Sequence, residues 1–375
     1  MHLERRRATA SPRRFGIVRG RVPMMIGEDS YMAQEMRMPS VRYSPALSNL
    51  AQRIKLLLLG NGPLLITIVI FLLAYFVGGQ LYPAMQKPQV FFNLFINNGS
   101  LLLVSIGMTF VILTGGIDLS VGGMIALTST ASAALLKAGV SPYVVMPLML
   151  GMGVVFGFAM GCIIHYLKVQ PFIATLMGLF FARGVAYLIS LSSVTITDPF
   201  YKSLALTPLY IPFLKNVYVY IPTLVAPLML LVAIYVTFFT RFGRTIYALG
   251  NNEQSALLMG LPVARTKIIA YSFSGLCSAL AGIVFSISLL AGYGQFATGM
   301  ELDAIASVVM GGTLLTGGVG NVIGTLFGVL IYGTIVSILQ FNGTLSSWWT
   351  RIGVGILTLI FIGIQSLFYM RKRHG

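Results

Sequence analysis

Residues 101–113 read LLLVSIGMTFVIL. A strand of a membrane barrel alternates apolar and polar side chains at every second position, and this run does not. A helix satisfies its own backbone hydrogen bonds in lipid, so the run reads as part of a membrane-spanning helix. Crossing a bilayer core of about 30 Å takes about 20 apolar residues. Working outward, hydropathy yields ten such segments, near 57–78, 91–113, 119–136, 143–164, 171–191, 217–239, 267–290, 301–316, 319–339 and 349–369. The expected fold is an all-α integral membrane protein of about ten transmembrane helices.

Composition leads to the same class. Of 375 residues 57% are apolar and 9% charged, against roughly 25% charged in a soluble domain. Residues 56–370 hold only 11 Lys or Arg and 5 Asp or Glu. The net charge of +16 is unevenly placed. With residue 1 inside and every segment crossing, nineteen Lys and Arg fall inside and five outside, with Arg183 left within a span. The positive-inside rule then puts both termini in the cytoplasm, and the basic excess is explained without nucleic acid.

Residues 1–55 are polar and Arg-rich and read as a disordered cytoplasmic tail; 56–370 form the membrane domain, and 371–375 a short cytoplasmic end. No apolar stretch follows the first arginines closely enough for a signal peptide. Cys162 and Cys277 both fall in expected spans, which suggests neither a disulfide nor a metal framework. His165, at the end of a span, reads as an interface residue.

An internal echo flanks the opening run. LTGGIDLSVGG at 113–123 aligns without a gap on LTGGVGNVIGT at 315–325, an offset of 202 residues. Each copy lies where one apolar segment ends and the next begins. Transporters commonly arise by duplication, with interrupted helices around the substrate path.

Three acids lie at or within spans: Asp118, Glu301 and Asp303. A carboxylate near the bilayer centre costs about 2.5–3.5 kcal/mol on insertion scales, so each needs a structural or functional reason. Asp118 reads as the N-cap of the next helix, with a substrate contact as the alternative. Glu301 and Asp303 open the eighth segment, where acids complement the helix dipole. Arg183 is expected to pair with a carboxylate or with backbone carbonyls of another helix, or else to line the pore.

The connection 240–266 reads TRFGRTIYALGNNEQSALLMGLPVART before the span resumes. Asn252 suits a cap, Glu253 a first turn, Gly260 a stop, and Pro262 prevents resumption. The reading is a two-turn helix outside the bilayer, either an ordered loop or a docking element, with Leu257 and Leu258 able to meet a partner. The chain contains no Gly-Lys dipeptide and so no phosphate loop of the G-x-x-x-x-G-K type.

ILTGGIDLSVGGMIALT, RFGRTIYALGNNEQSALLMGLPV, ELDAIASVVMGGTLLTGGVGNVIGTLFG and GTLSSWWTRIGVGIL together resemble the permeases of ribose-type ABC sugar importers, and within them the galactofuranose permeases. The resemblance runs from about residue 60 to 370. It implies two paired permease subunits, alike or different, in the bacterial inner membrane. Two ATPase subunits that use ATP would dock beneath, and a periplasmic or lipid-anchored sugar-binding protein would deliver the sugar; this chain would need no metal or cofactor and bind only membrane lipid besides. By likeness, Gly115, Gly116, Asp118 and Ser120 belong to a signature beside the translocation path. Asn252, Glu253, Ala256 and Gly260 belong to the loop that meets the ATPase. The stretch GNNEQSA at 250–256 departs from relatives that carry a second glycine and paired alanines there. An ion-coupled secondary transporter, using Asp118, Glu301 and Asp303, is the competing class; for a membrane enzyme no catalytic constellation stands out.

Overall fold

The computed structural model describes residues 62–214, 216–343, 348–349, 352–356, 359–360 and 363. The expected tail at 1–55, the end at 371–375 and most of the expected span at 349–369 lie outside the described residues. In chain order the helices are α1 (Gly62–Leu81), α2 (Pro88–Leu113), α3 (Val121–Lys137), α4 (Pro142–Tyr166), α5 (Pro171–Ile189) and α6 (Pro199–Leu206). They continue with α7 (Val225–Phe239), α8 (Arg241–Asn251), α9 (Glu253–Leu258), α10 (Val263–Leu289), α11 (Met300–Met310) and α12 (Val322–Asn342). Proline occupies the first position of α2, α4, α5 and α6, where its fixed φ suits a helix and its missing N–H costs nothing.

Two short antiparallel pairs lie in the connections. β1 (Val194–Thr195) pairs with β4 (Ala291–Gly292), placing Val194 opposite Gly292. β2 (Pro208–Tyr210) pairs with β3 (Tyr218–Tyr220). Between them α6 is capped by Asp198, whose carboxylate accepts from Phe200 N at 2.9 Å and Tyr201 N at 3.1 Å.

Among the described residues seven helices are long and apolar enough to cross a membrane: α1, α2, α4, α5, α7 with the 3-10 turn before it, α10 and α12. The expected segment at 119–136 is α3, an apolar helix of 17 residues. The one at 301–316 is α11, which stops after 11 residues at Gly311 and a left-handed Gly312 (φ +92°). Hydropathy counts an apolar loop as helix, and non-helical backbone is tolerated at membrane depth where protein surrounds it.

α2 is the enclosed centre, buried at every residue from Gly99 to Leu113. α10 packs along α2, α3 and α4, while α12 packs along α1, α2 and α11. The α4–α10 seam rests on small residues: a Cβ at Gly153 would lie 2.5 Å from both Gly275 O and Ala279 Cβ, so the two backbones approach as bulky residues would forbid. Outward faces carry Leu72 and Phe76 of α1, Phe158 of α4, Phe180 and Phe181 of α5, and Leu228 and Leu231 of α7, all exposed apolar side chains suited to lipid.

Candidate functional site

Both copies of the echo are breaks between helices. In the first, α2 ends at Leu113 and the chain turns through Gly115 (φ +82°) before α3 begins at Val121. Asp118 is buried at 2% exposure. Its Oδ1 accepts from Ser120 N at 3.0 Å and Ser120 Oγ at 2.5 Å, and its Oδ2 from Ser274 Oγ of α10 at 2.7 Å. The N-cap reading of Asp118 is therefore corrected. Ser120 occupies the cap position, and the carboxylate folds the break and ties it to α10 instead of binding the first amides of α3. A buried carboxyl group is tolerable here because hydroxyls and an amide bond both oxygens. Gly116 is buried against the Tyr271 hydroxyl, which donates to Ile117 O at 3.4 Å, and Thr175 Oγ1 of α5 donates to the same carbonyl at 3.3 Å.

The second break spans 311–321 between α11 and α12. Asn321 caps α12, accepting from Ile323 N at 2.8 Å. Gly317, aligned with Gly115 in the echo, has a φ of +85° against +82°. The two breaks meet: Gly318 N donates to Leu113 O at 3.0 Å.

Of the partners expected for Arg183, the structure gives carbonyls. Its Nη1 donates to Gly294 O at 2.9 Å, Phe296 O at 3.5 Å and Thr298 Oγ1 at 2.8 Å, all in the stretch that leads into α11. Glu301 and Asp303 lie in the first turn of α11. Glu301 Oε1 accepts from Gly299 N at 3.3 Å, and Asp303 Oδ2 accepts from the Tyr332 hydroxyl of α12 at 3.0 Å. A Cβ at Gly122 would collide with Glu301 Oε2. The start of α3 thus lies between the Asp118 turn and the turn held by Arg183, and one locality gathers Asp118, Ser120, Glu301 and, through its loop, Arg183.

The connection 240–266 holds more structure than the sequence suggested. Thr240 Oγ1 accepts from Gly243 N at 3.2 Å and starts α8, a helix absent from the sequence reading. Its buried residues Gly243, Ile246 and Leu249 recur every three positions, a signal that Gly243 and the β-branched Thr245 and Ile246 weaken. The Tyr247 hydroxyl donates to Gly320 O in the second break at 3.0 Å, and burial raises this phenol above its ordinary pKa.

α9 has the expected ends. Asn252 Oδ1 accepts from Ser255 N at 2.8 Å. Glu253 pairs with Lys267 of α10 at 2.7 Å. Gly260 is left-handed (φ +72°); Leu261 N donates to Ala256 O at 3.0 Å and Gly260 N to Leu257 O at 2.9 Å, the two bonds of a Schellman stop. Ala256 is fully buried with Leu249 and Val263, so its side chain faces the membrane domain and not outward. Leu257, Leu258 and Met259 are exposed at 55%, 89% and 65%.

Spans interrupted by paired breaks, with a capped helix standing between spans α7 and α10, define a multi-pass membrane permease subunit. Residues 90–362 match the family described as the permease component of the branched-chain amino acid transport system. The chain is 47% identical over 306 residues to the inner membrane ABC transporter permease protein YjfF of Escherichia coli, covering 81% of this chain and 92% of that one. It is 39% identical to the fructose import permease protein FruG of Bifidobacterium longum, over 81% and 90% of the two chains. To the ribose import permease protein RbsC of Escherichia coli it is 37% identical, over 73% and 85%. No solved structure matches. The chain belongs to this family of transport permease components.

Proposed function

We propose that this chain is one of two permease subunits, alike or different, of an ATP-driven importer that carries a monosaccharide, galactofuranose-like or a pentose, across the bacterial cytoplasmic membrane. A separate ATPase docks on α9, and a periplasmic or lipid-anchored binding protein delivers the sugar to the opposite face. The observation that carries this reading is α9 itself. A helix stopped at both ends presents Leu257, Leu258 and Met259 outward between two spans, as a rigid knob for a partner's groove. Relatives named for ribose and fructose import support the sugar. The bias of Lys and Arg supports cytoplasmic termini and a cytoplasmic α9.

In this reading Gly115, Gly116, Asp118 and Ser120 form the inner frame of the translocation path, and Arg183, Glu301 and Asp303 fix the start of α11 beside it. Asp118 is too enclosed to touch sugar; it shapes the wall from within. The test is uptake into proteoliposomes holding this chain, its partner permease and the ATPase, with D-ribose, D-fructose, D-allose and D-galactofuranose as probes. Uptake of one of these that requires ATP and the binding protein is the expected result. Uptake driven by a proton or sodium gradient without the ATPase would refute it in favour of a secondary transporter.

A further inference from the structure

Gly250, the penultimate residue of α8, sits where the two breaks join. A Cβ there would collide with the Leu113 carbonyl that ends α2 and with the Gly318 amide of the second break. Those two groups are hydrogen-bonded to each other, so Gly250 rests on the bond that links the breaks. A Cβ at Gly317 would lie 2.7 Å from Gly115 N and 3.2 Å from Gly250 Cα. Three stretches of backbone therefore touch with no side chain between them. One turn earlier Tyr247 holds Gly320 by its hydroxyl. At the same end of α8, just past Gly250, only Asn252 separates it from α9.

Backbone packed on backbone has no rotamers with which to absorb a shift, and packed elements answer displacement by moving together or by changing to a second packing. We infer that the C-terminal end of α8 is the joint that sets both helix breaks at once, with Gly250 and Tyr247 as the positioning residues through which movement of α9 reaches residues 113–120 and 311–321. This rests on the importer reading and adds the route by which the ATPase's motion enters the membrane domain. The α8–α9 pair moves as one piece, and the two breaks follow it as one piece.

The test uses the complete complex in lipid nanodiscs, with Cys162→Ser and Cys277→Ala, and spin labels on Val319→Cys in the second break and Tyr143→Cys at the far start of α4. The label distance is measured without nucleotide and with MgATP. MgATP is expected to change it in the otherwise unaltered complex. Tyr247→Phe, which deletes one hydroxyl and keeps the ring, should cut the change by roughly half, and Gly250→Ala should abolish it. Gly151→Ala, where a Cβ meets nothing within 4 Å, should leave it intact. No MgATP-driven change in the parent complex overturns the inference. So does a full change in Tyr247→Phe, which decides the matter even where Gly250→Ala fails to assemble. Sugar uptake is not part of this readout: a wrong sugar assignment leaves the breaks moving with MgATP, whereas a merely structural contact leaves Tyr247→Phe with the full parental change.

Discussion

The two breaks share a backbone design and differ in what fastens them. Gly115 and Gly317 take the same left-handed turn, and in each break a short side chain accepts the amide two residues on, Asp118 from Ser120 and Asn321 from Ile323. The first break is fastened by a carboxyl group and is locked to α10, a span, through Ser274. The second is neutral and is held through Tyr247 and the Gly250 contact to α8, which lies outside the spans. A buried carboxyl group keeps its place only while its bonds are made, so the first break has the costlier fastening. Both meet α8 at Gly250, and the second is tied to it again by Tyr247.

The largest effect is expected at the first break. Asp118→Leu leaves the hydroxyls of Ser120 and Ser274 without their acceptor inside the bundle and should cost about 3 kcal/mol or more, read as a clearly lower melting temperature in detergent. Asp118→Asn, which keeps one acceptor oxygen, should recover much of that loss. An Asp118→Leu protein that melts like the parent would break the contrast between the two breaks.

Arg183→Leu comes next. It strips donors from Gly294 and Phe296 carbonyls and Thr298, and a loss of about 1–3 kcal/mol is expected because the site is only partly buried. The amount of folded protein should fall while the order of preference among sugars holds. A changed sugar preference at unchanged stability would move Arg183 from frame to pore.

The smallest effect belongs to Glu253→Gln. The Glu253 carboxylate pairs with Lys267 at an exposed site, side-chain exposure 47%, where such pairs contribute between 0 and about 1 kcal/mol. Stability should change little, and more so at low salt than at high; a large loss would show α9 to be held by charge and not by its cap and stop.

Much of this was legible in the sequence because the signals are local. Runs of apolar residues mark spans, and Asn252 with Gly260 marks the ends of α9. The echo at 113–123 and 315–325 marks two breaks, down to the matching φ of Gly115 and Gly317. What was missed depends on contacts far apart in sequence. Asp118 looks like a cap until Ser274, 156 residues away, is brought beside it. The length of α11 was hidden because Gly311, Thr313 and Leu314 are as apolar in a buried loop as in a helix. α8 was hidden because Gly243 and Gly250 weaken its helix signal for the sake of close packing against Thr237 O and Leu113 O. The burial of Ala256 likewise depends on Leu249 and Val263, which close over it.

The central claim is that α9 is the knob by which an ATPase drives this permease. Leu258 is 89% exposed, so Leu258→Glu disturbs no packing within the chain. Pull-down of the membrane complex on a tag fused to this chain measures how much ATPase comes with it. The account predicts that the Leu258→Glu chain reaches the membrane at parental levels, keeps its partner permease and loses most of the ATPase together with ATP-driven uptake. Parental amounts of bound ATPase with parental uptake would contradict it.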